Sequence, residues 1–390
     1  MAQSGAVGGV GLAWAKEYGL GISKFVSYGN GADLNEVDFL RYLAGDEETR
    51  VVGLYIESVA DGREFMQAVE ECTARKPVVV IKAGRTQSGQ RATLSHTGSL
   101  AGSDAVYDAA LRQCGAMRVH TIEEMFDLCQ GFLYVGRLSQ TPHAVGGLHG
   151  VGGLHGVGGL RVAIVTNSGG PGVLAADRAE EVGLEVAEPS PAVKARLSEF
   201  LPAHCALKNP IDLTVEGTED GYRRTLLTVL EEYDAALALN IATPYLDSVP
   251  LARGICDAAR ESGKPVVAAF LPGQIVAEAV PYLQEHGVAN FATGERAVAA
   301  LARMAEYESR RAARGAFSPP SEGGAGGGWV SPQGATHPHP NPLPGREREH
   351  CSSRRRWPGC GRMGCRCRIS AGRRRRKRRC RAAAKSATRR

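Results

Sequence analysis

The chain has 390 residues, 43% of them apolar, and a formal net charge of +6. This length allows two or three domains, and the apolar fraction is typical of a soluble globular protein. The charge is uneven: residues 351–390 contain 17 Lys and Arg and no acidic residue, so the first 350 residues carry a net charge of −11. No apolar run is long enough to span a membrane, and the start of the chain has no signal-peptide features. Because the body cysteines are scattered, as in a reducing compartment, we expect a cytoplasmic protein without a membrane partner.

Apolar runs alternate with helical patterns over residues 1–140. Strands are predicted at Lys24–Ser27, Val51–Glu57 and Pro77–Ala83. Helices are predicted at Val7–Tyr18, Asp33–Ala44, Gly62–Thr73, Ala101–Cys114 and Ile122–Val135. This βα alternation predicts a parallel sheet covered by helices, which we take as a first domain. The turn at Ser4 is preceded by no predicted strand, so the first domain is expected to lack its opening strand and the chain to be truncated there.

A second alternation covers residues 161–315 and is expected to form a complete doubly wound domain. Its predicted strands are Arg161–Thr166, Ala235–Ile241, Pro265–Phe270 and Val288–Phe291. Its predicted helices are Gly172–Glu181, Pro191–Phe200, Glu219–Tyr233, Ser248–Ser262, Ile275–His286 and a last one from Gly294 to about Arg314. The fold class is therefore α/β, with two parallel-sheet domains.

Two further segments are expected to lie outside these domains. Residues 141–160 repeat the Gly-rich hexapeptide Val145–Gly150, which favours a linker over a solenoid, and over a metal site at the recurring His149 and His155. Residues 316–390 are rich first in Pro and Gly and then in Arg, which predicts a disordered basic tail. Its run Arg373–Arg379 could attract nucleic acid electrostatically, but no aromatic residues are interleaved with the charges. We therefore expect no nucleic-acid partner, and translation outside the proper reading frame is the favoured origin of the tail.

His96 lies in a stretch rich in Gly, Ser and Thr, between Gly84 and Gly102, that follows a predicted strand. Such a composition predicts a mobile loop that can surround an anion with backbone N–H groups. A histidine on such a loop can act as a nucleophile that carries a phosphoryl group. The alternative is an ordinary solvent-facing loop histidine.

Two turns that open helices point to the same chemistry. One contains Ser4, Gly5 and Ala6, and the other Ser168, Gly169 and Gly170. A helix N-terminus offers unpaired N–H groups and a positive dipole end to an anion, although Gly also serves tight turns for steric reasons alone. Glu57 ends a predicted strand, where a carboxylate could hold an imidazole N–H and fix its tautomer. A surface glutamate at a strand end is the alternative. No metal ligands are predicted in these groups.

At these residues the chain resembles the ADP-forming (NDP-forming) acyl-CoA synthetases, relatives of succinyl-CoA synthetase. The resemblance covers roughly residues 3–312 in colinear order, and it implies flavodoxin-like, succinyl-CoA synthetase-like domains. The matching motifs are Ser4-Gly5-Ala6, Tyr28 to Asp33, Tyr55-Ile56-Glu57, Lys76 to Val80, Ser95 to Gly98, Thr166 to Gly172 and Asn209 to Leu213.

The resemblance implies a reaction of acyl-CoA, ADP and phosphate to carboxylic acid, ATP and CoA, of which the acetate-CoA ligase type is favoured. His96 would become phosphorylated, Glu57 would orient it, and the two helix N-termini would bind the phosphate. CoA and ATP or ADP with Mg²⁺ are the implied cofactors. Because neither a CoA-binding domain nor an ATP-grasp domain is recognisable, both are expected from elsewhere, as partner subunits or as the missing parts of a gene fragment.

Two other functions remain open at this point. The same domains occur in the regulatory part of some protein lysine acetyltransferases, where the phosphorylated histidine is often lost. A non-catalytic module that binds phosphate or a nucleotide is the other. The presence of His96 favours the ligase over the acetyltransferase.

Overall fold

The structure is a computed structural model, and it describes residues 1–97, 102–136, 138, 159–215, 217–243 and 246–317. Most of the predicted linker lies outside these residues, including His149 and His155. The predicted tail lies outside them after residue 317, including Arg373–Arg379. Among the described residues, no helix is both long enough and apolar enough to cross a bilayer.

The first sheet consists of three parallel strands in the order β1-β2-β3. They are β1 (Val52–Ile56), β2 (Val78–Lys82) and β3 (Met117–Val119). The helices of this half are α1 (Gly5–Glu17), α2 (Glu36–Gly45), α3 (Gly62–Thr73), α4 (Gln87–Thr97), α5 (Asp104–Gln113) and α6 (Ile122–Gln130), and a π-helical turn at Gly131–Val135 follows α6. Every residue of β2 is buried, as is typical of a central parallel strand covered on both faces.

The segment Met1–Gln3 extends the first sheet beyond β1. Ala2 forms parallel bridges both to Tyr55 and to Ser27. The opening strand was expected to be missing, but Ala2 lies in its position and pairs with two neighbouring chain segments. The predicted strand Lys24–Ser27 is reduced to the single bridge at Ser27, because only that residue has a pairing partner.

The second sheet has five parallel strands in the order β5-β4-β6-β7-β8. They are β4 (Val162–Thr166), β5 (Ile211–Asp212), β6 (Ala235–Ile241), β7 (Val266–Leu271) and β8 (Ala289–Asn290). Its helices are α7 (Gly169–Glu181), α8 (Pro191–Ser198), α9 (Glu219–Val229), α10 (Ser248–Ser262), α11 (Ala279–Glu285) and α12 (Gly294–Phe317). By position in the sequence the strand order is 2-1-3-4-5, the order of flavodoxin-like sheets.

The first sheet has the same order when its two bridged segments are included. Ser27, Ala2, β1, β2 and β3 are then the second, first, third, fourth and fifth segments of the chain. Both halves are therefore flavodoxin-like α/β units, as predicted. In this fold, ligands bind at the carboxyl ends of the strands where the strand order reverses, between the first and third strands.

Side chains from both sheets share one hydrophobic core. Val79 and Ile81 of β2 belong to the same buried cluster as Ile164 of β4 and Leu237 of β6, together with residues of α6, α7 and α12. Separate clusters cover the other face of each sheet. We retain the division into two domains, with the boundaries given above, as a proposal.

Candidate functional site

The order reversal of the first sheet lies between Ala2 and β1. The side chain of Gln3 spans this gap: its Oε1 accepts hydrogen bonds from the backbone N–H groups of Glu57, at 2.6 Å, and Ser58, at 3.2 Å. The Tyr55 hydroxyl donates to Glu57 Oε1 at 3.4 Å. Glu57 is only 6% exposed. Gln3 therefore holds the Glu57 backbone, and the Glu57 carboxylate is buried beside Tyr55 at the carboxyl end of β1.

Helix α1 begins at the same place. Ser4 is its N-cap, and the Ser4 hydroxyl accepts a hydrogen bond from the N–H of Val7 at 3.4 Å. The first-turn N–H groups at Gly5 and Ala6 have no partner within the helix, because the carbonyls that would accept them precede the helix. Since Gln3, directly before the cap, contacts Glu57, the structure brings Ser4, Gly5 and Ala6 to the same edge of the sheet as Glu57.

Lys82, the last residue of β2, is 1% exposed. Its Nζ donates to the carbonyl of Ala83 and lies 4.6 Å from the centroid of the Tyr107 ring. Burial lowers the pKa of Lys82, an effect that the carboxylates of Asp104 and Glu57 oppose. Asp104 itself is ion-paired with Arg118 of β3.

The side chain of Tyr28 also lies near Glu57. Its hydroxyl is buried and has no hydrogen-bond partner among the residues that the structure describes. Burial, and then the carboxylates of Glu36 and Glu57, raise the pKa of the phenol. Tyr28 therefore presents a neutral donor without an acceptor.

The second predicted turn lies at the order reversal of the second sheet. Asn167 follows β4 and spans the gap to β6: its Nδ2 donates to Asn240 Oδ1 and to the carbonyl of Ile241, and its Oδ1 accepts the Ile241 N–H at 2.8 Å. Ser168 is the N-cap of α7, and its N–H donates to the Thr166 hydroxyl. A Cβ on Gly169 would stand 3.2 Å from Asp212 Oδ2, so a larger side chain would press on that carboxylate.

The two turns correspond to each other residue by residue. Gln3-Ser4-Gly5 and Asn167-Ser168-Gly169 both follow the first strand of their sheet, and both amide side chains accept an N–H from the end of the third strand. That N–H belongs to Glu57 in the first half and to Ile241 in the second. The first edge therefore carries a carboxylate that can orient a nucleophile, and the second has an apolar residue in its place.

The predicted site residues form two groups in the structure. Glu57, Ser4, Gly5 and Ala6 lie together on the first sheet, as described above. In the turn Ser168–Gly170, the N–H of Ser168 donates to Thr166, and Gly169 lies close to Asp212 of the second sheet.

His96 lies in the last turn of α4, so the prediction that it is on a loop is wrong for the backbone. The residues from Gln87 onward form a helix because Thr86 caps it: Gly89 N–H donates to Thr86 Oγ1 at 3.1 Å. Arg91, Ala92 and Leu94 favour a helix, and the hydroxyls of Thr93 and Ser95 bond to carbonyls four residues back. The side chain of His96 lies outside what the structure describes.

Three residues of this region were not predicted from the sequence: Gln3, Lys82 and Tyr28. Gln3 was detectable, since the amide-Ser-Gly sequence recurs at Asn167. Tyr28 opens one of the matching motifs but had no assigned role, and Lys82 carried no signal, because only the fold brings them near Glu57.

Two family models match the chain. The succinyl-CoA ligase-like flavodoxin domain matches residues 1–132, and the ligase-CoA domain matches residues 162–316.

Curated relatives include the ADP-forming acetate–CoA ligase I of Archaeoglobus fulgidus, 38% identical over 79% of this chain and 41% of that protein. The alpha subunit of the ADP-forming acetate–CoA ligase II of Pyrococcus furiosus is 37% identical over 77% of this chain and 63% of that subunit. The chain thus spans less than two thirds of these relatives.

A solved structure agrees with the sequence relatives. The dinucleotide-forming acetyl-coenzyme A synthetase 1 of Ca. Korarchaeum cryptofilum, in complex with phosphate and ADP, superposes with a TM-score of 0.69 at 33% identity, covering 82% of this chain and 66% of that one. From the two domain matches, the relatives and the shared fold, the chain belongs to the family of ADP-forming acyl-CoA synthetases.

Proposed function

We propose that this chain is the phosphohistidine-carrying part of an ADP-forming acyl-CoA synthetase, of the acetate–CoA ligase type. The observation that carries the proposal is the buried Glu57 carboxylate, whose backbone N–H Gln3 holds beside the N-terminus of α1. A fixed carboxylate can hold one imidazole nitrogen and leave the other as a nucleophile. The relatives named as alpha subunits of such ligases support it.

The proposed reaction has three transfers. Phosphate attacks the thioester carbonyl of acyl-CoA, which forms an acyl phosphate and releases the CoA thiolate. The imidazole of His96 then attacks phosphorus, breaks the P–O bond to the acyl group and releases the carboxylate. Finally, the terminal phosphate oxygen of ADP attacks phosphohistidine, which yields ATP and regenerates His96. The covalent intermediate divides one difficult transfer into easier ones.

Each group in the chain has a separate role in this scheme. Glu57 orients His96 and stabilises the imidazolium that forms when a ring nitrogen is phosphorylated. The N–H groups of Gly5 and Ala6 stabilise the negative charge on the transferring phosphoryl group, since they are fixed before the reaction begins. We assign the same task to the turn Ser168–Gly170, whose helix dipole also favours an anion.

Further components complete the proposal. CoA would bind to a CoA-binding domain, and ADP or ATP with Mg²⁺ to an ATP-grasp subunit or domain supplied by another chain or another part of the protein. No group of three or more His, Cys, Asp and Glu in the described part of the chain could hold a metal ion, so we assign no Mg²⁺ ligand here.

Transfer of labelled phosphate to His96 tests the proposal. The full chain is mixed with an ATP-grasp subunit and ATP labelled at the γ-phosphate, and acid-labile protein label is measured for the wild type and for His96→Ala, with circular dichroism as a folding control. We expect label on the wild type and none on His96→Ala. A folded wild type without label would refute the ligase function and favour a phosphate-binding module. An acetyltransferase-regulatory function would likewise leave the chain unlabelled.

A further inference from the structure

Two buried hydrogen-bond donors at the carboxyl end of the first sheet have no role in the scheme above: the ammonium of Lys82 and the hydroxyl of Tyr28. Both lie within electrostatic range of Glu57. Both also contact the same core cluster, Tyr28 through its own ring and Lys82 through the Tyr107 ring. They belong to different chain segments and reach the same edge of the sheet.

Lys82 carries a buried charge that no carboxylate neutralises directly. No ion pair of Lys82 occurs within the described ranges, and its one hydrogen bond goes to the carbonyl of Ala83. An ammonium has three donors, so at least one direction remains for a further acceptor. Arg118, the other cation nearby, is already paired with Asp104 and with the Asp104 carbonyl.

Lys76, at the opposite end of β2, makes the contrast clear. It too is buried, at 9% exposure, but its Nζ donates to two carbonyls, those of Asp46 at 2.7 Å and Thr49 at 2.8 Å. Lys76 thus ties two turns together. Lys82 has no comparable structural task, although a buried charge is costly unless it is compensated.

Lys82 is also coupled to the segment that carries Glu57. The Nζ of Lys82 lies over the Tyr107 ring. The hydroxyl oxygen of Tyr107 accepts a hydrogen bond, at 3.2 Å, from the N–H of Val59, a residue two positions after Glu57. Tyr28 reaches the sheet through its N–H, which donates to the carbonyl of Ala2, two residues before the cap of α1. The donors of Lys82 and Tyr28 are therefore held by the segments that form the candidate phosphate site.

We propose that Lys82 and Tyr28 form an oxyanion-binding pair that holds phosphate, and the phosphoryl group derived from it, beside Glu57. The inference rests on the proposed function and adds two phosphate-binding residues to it. A dianion supplies an acceptor for the Tyr28 hydroxyl and a further acceptor for the Lys82 ammonium, and a buried ammonium binds it without reorganisation. The region also contains three carboxylates, those of Glu36, Glu57 and Asp104. Because their negative charge repels an anion, phosphate needs a nearby cation such as Lys82 in order to bind.

Isothermal titration calorimetry of the full chain with inorganic phosphate tests the pair. We expect Lys82→Met to weaken phosphate binding about tenfold or more, and Tyr28→Phe about threefold or more, as for the loss of hydrogen bonds to a charged group. Lys82→Arg should retain most of the affinity, since it keeps the charge. Lys76→Met is the matched control and should bind phosphate as the wild type does.

Urea unfolding of the same variants separates binding from structure. Tyr28→Phe removes a buried hydroxyl that has no partner, so its stability should equal or exceed that of the wild type. Lys76→Met should lose stability, because two carbonyls lose their donor. A purely structural role for Tyr28 or Lys82 would instead lower stability and leave phosphate affinity unchanged.

Each result of the titration decides the proposal. Wild-type affinity in either Lys82→Met or Tyr28→Phe would overturn the pair and leave the phosphohistidine proposal standing. If the wild type itself binds no phosphate, the pair is also overturned, and His96 labelling then reports separately on the proposed function. Since Tyr28→Phe is the milder change, the test remains decisive even if Lys82→Met does not fold.

Discussion

Gln3 and Asn167 perform the same structural task at the two order reversals. Each amide stands directly before a Ser N-cap and accepts an N–H from the third strand of its sheet. The difference between the sites lies in what that N–H belongs to, Glu57 or Ile241. A single residue position therefore gives the first edge a carboxylate where the second has an apolar side chain, and in the proposed function only the first edge orients a histidine.

Replacing Gln3 by Ala should disturb the Glu57 position directly. The N–H groups of Glu57 and Ser58 would both lose their acceptor, which we expect to cost about 1–3 kcal/mol of unfolding free energy. Urea denaturation measures this cost, and His96 labelling should fall in parallel. Gln113→Ala, at an exposed helix end, is the control; equal stability of the two variants would contradict the assigned role of Gln3.

His120, which follows β3, should titrate below its ordinary pKa. Burial lowers the pKa of His120, the nearby Arg85 lowers it further, and Glu124 opposes both. The folded protein thus favours the neutral imidazole, so stability is highest above about pH 6.5, the ordinary pKa, and falls as the pH drops from there through the lower pKa of the folded state.

The contribution of Arg85 can be measured by NMR titration of the His120 ring protons. Arg85→Gln should raise the pKa of His120 toward the ordinary value. Arg91→Gln, which removes a charge from α4, should leave it unchanged. An unchanged pKa in Arg85→Gln would mean that this charge does not act on His120.

The helices and strands show how far the sequence pattern was sufficient. Helices α3 and α10 occur at their predicted bounds, because each has an apolar stripe and an aspartate cap, Asp61 or Asp247. Strand β3 was missed, because three residues are too few for a periodic signal. Helix α4 was missed because its Gly, Ser and Thr residues suggest a loop, while the Thr86 cap and the helix-forming residues Arg91, Ala92 and Leu94 favour a helix.

The Thr86 cap should control the order of the segment that carries His96. Thr86→Ala removes the acceptor for the Gly89 N–H, and loss of such a cap costs about 1 kcal/mol. Hydrogen exchange of the amides of α4 should become faster, whereas Thr86→Ser, which keeps the hydroxyl, should resemble the wild type. Unchanged exchange in Thr86→Ala would show that the cap does not hold this helix.

At the scale of the molecule, α12 connects the two sheets. It packs in the shared core through Leu301, and its Arg303 donates to the carbonyl of Arg118 in β3. Sequence periodicity predicted this helix but not its contact with the first sheet, because an amphipathic pattern shows which face is apolar and does not show which element packs against that face. In the same way the sequence predicts the strand end at Glu57 and repeats the amide-Ser-Gly motif of Gln3, but only the fold shows that Gln3 bonds to the Glu57 backbone.

The shared core predicts that both sheets unfold together. Leu301→Ala opens a cavity in this core and should lower the free energy of unfolding by about 2–5 kcal/mol. Trp14 fluorescence, which reports on the first half, and far-ultraviolet circular dichroism of the whole chain should still show the same urea midpoint. Leu226→Ala, in the cluster on the outer face of the second sheet, is the matched control for a core not shared with the first. Two separate transitions in Leu301→Ala would contradict the shared core.

The central claim is that His96 accepts a phosphoryl group in a site organised by Glu57. The most direct measurement is the incubation of the full chain with labelled acetyl phosphate, the acyl phosphate of the proposed scheme, followed by mass spectrometry of the peptide that contains His96. We predict acid-labile phosphate on His96 in the wild type, strongly reduced labelling in Glu57→Gln and none in His96→Ala. Labelling that is absent from the folded wild type, or equal in all three proteins, would contradict the account.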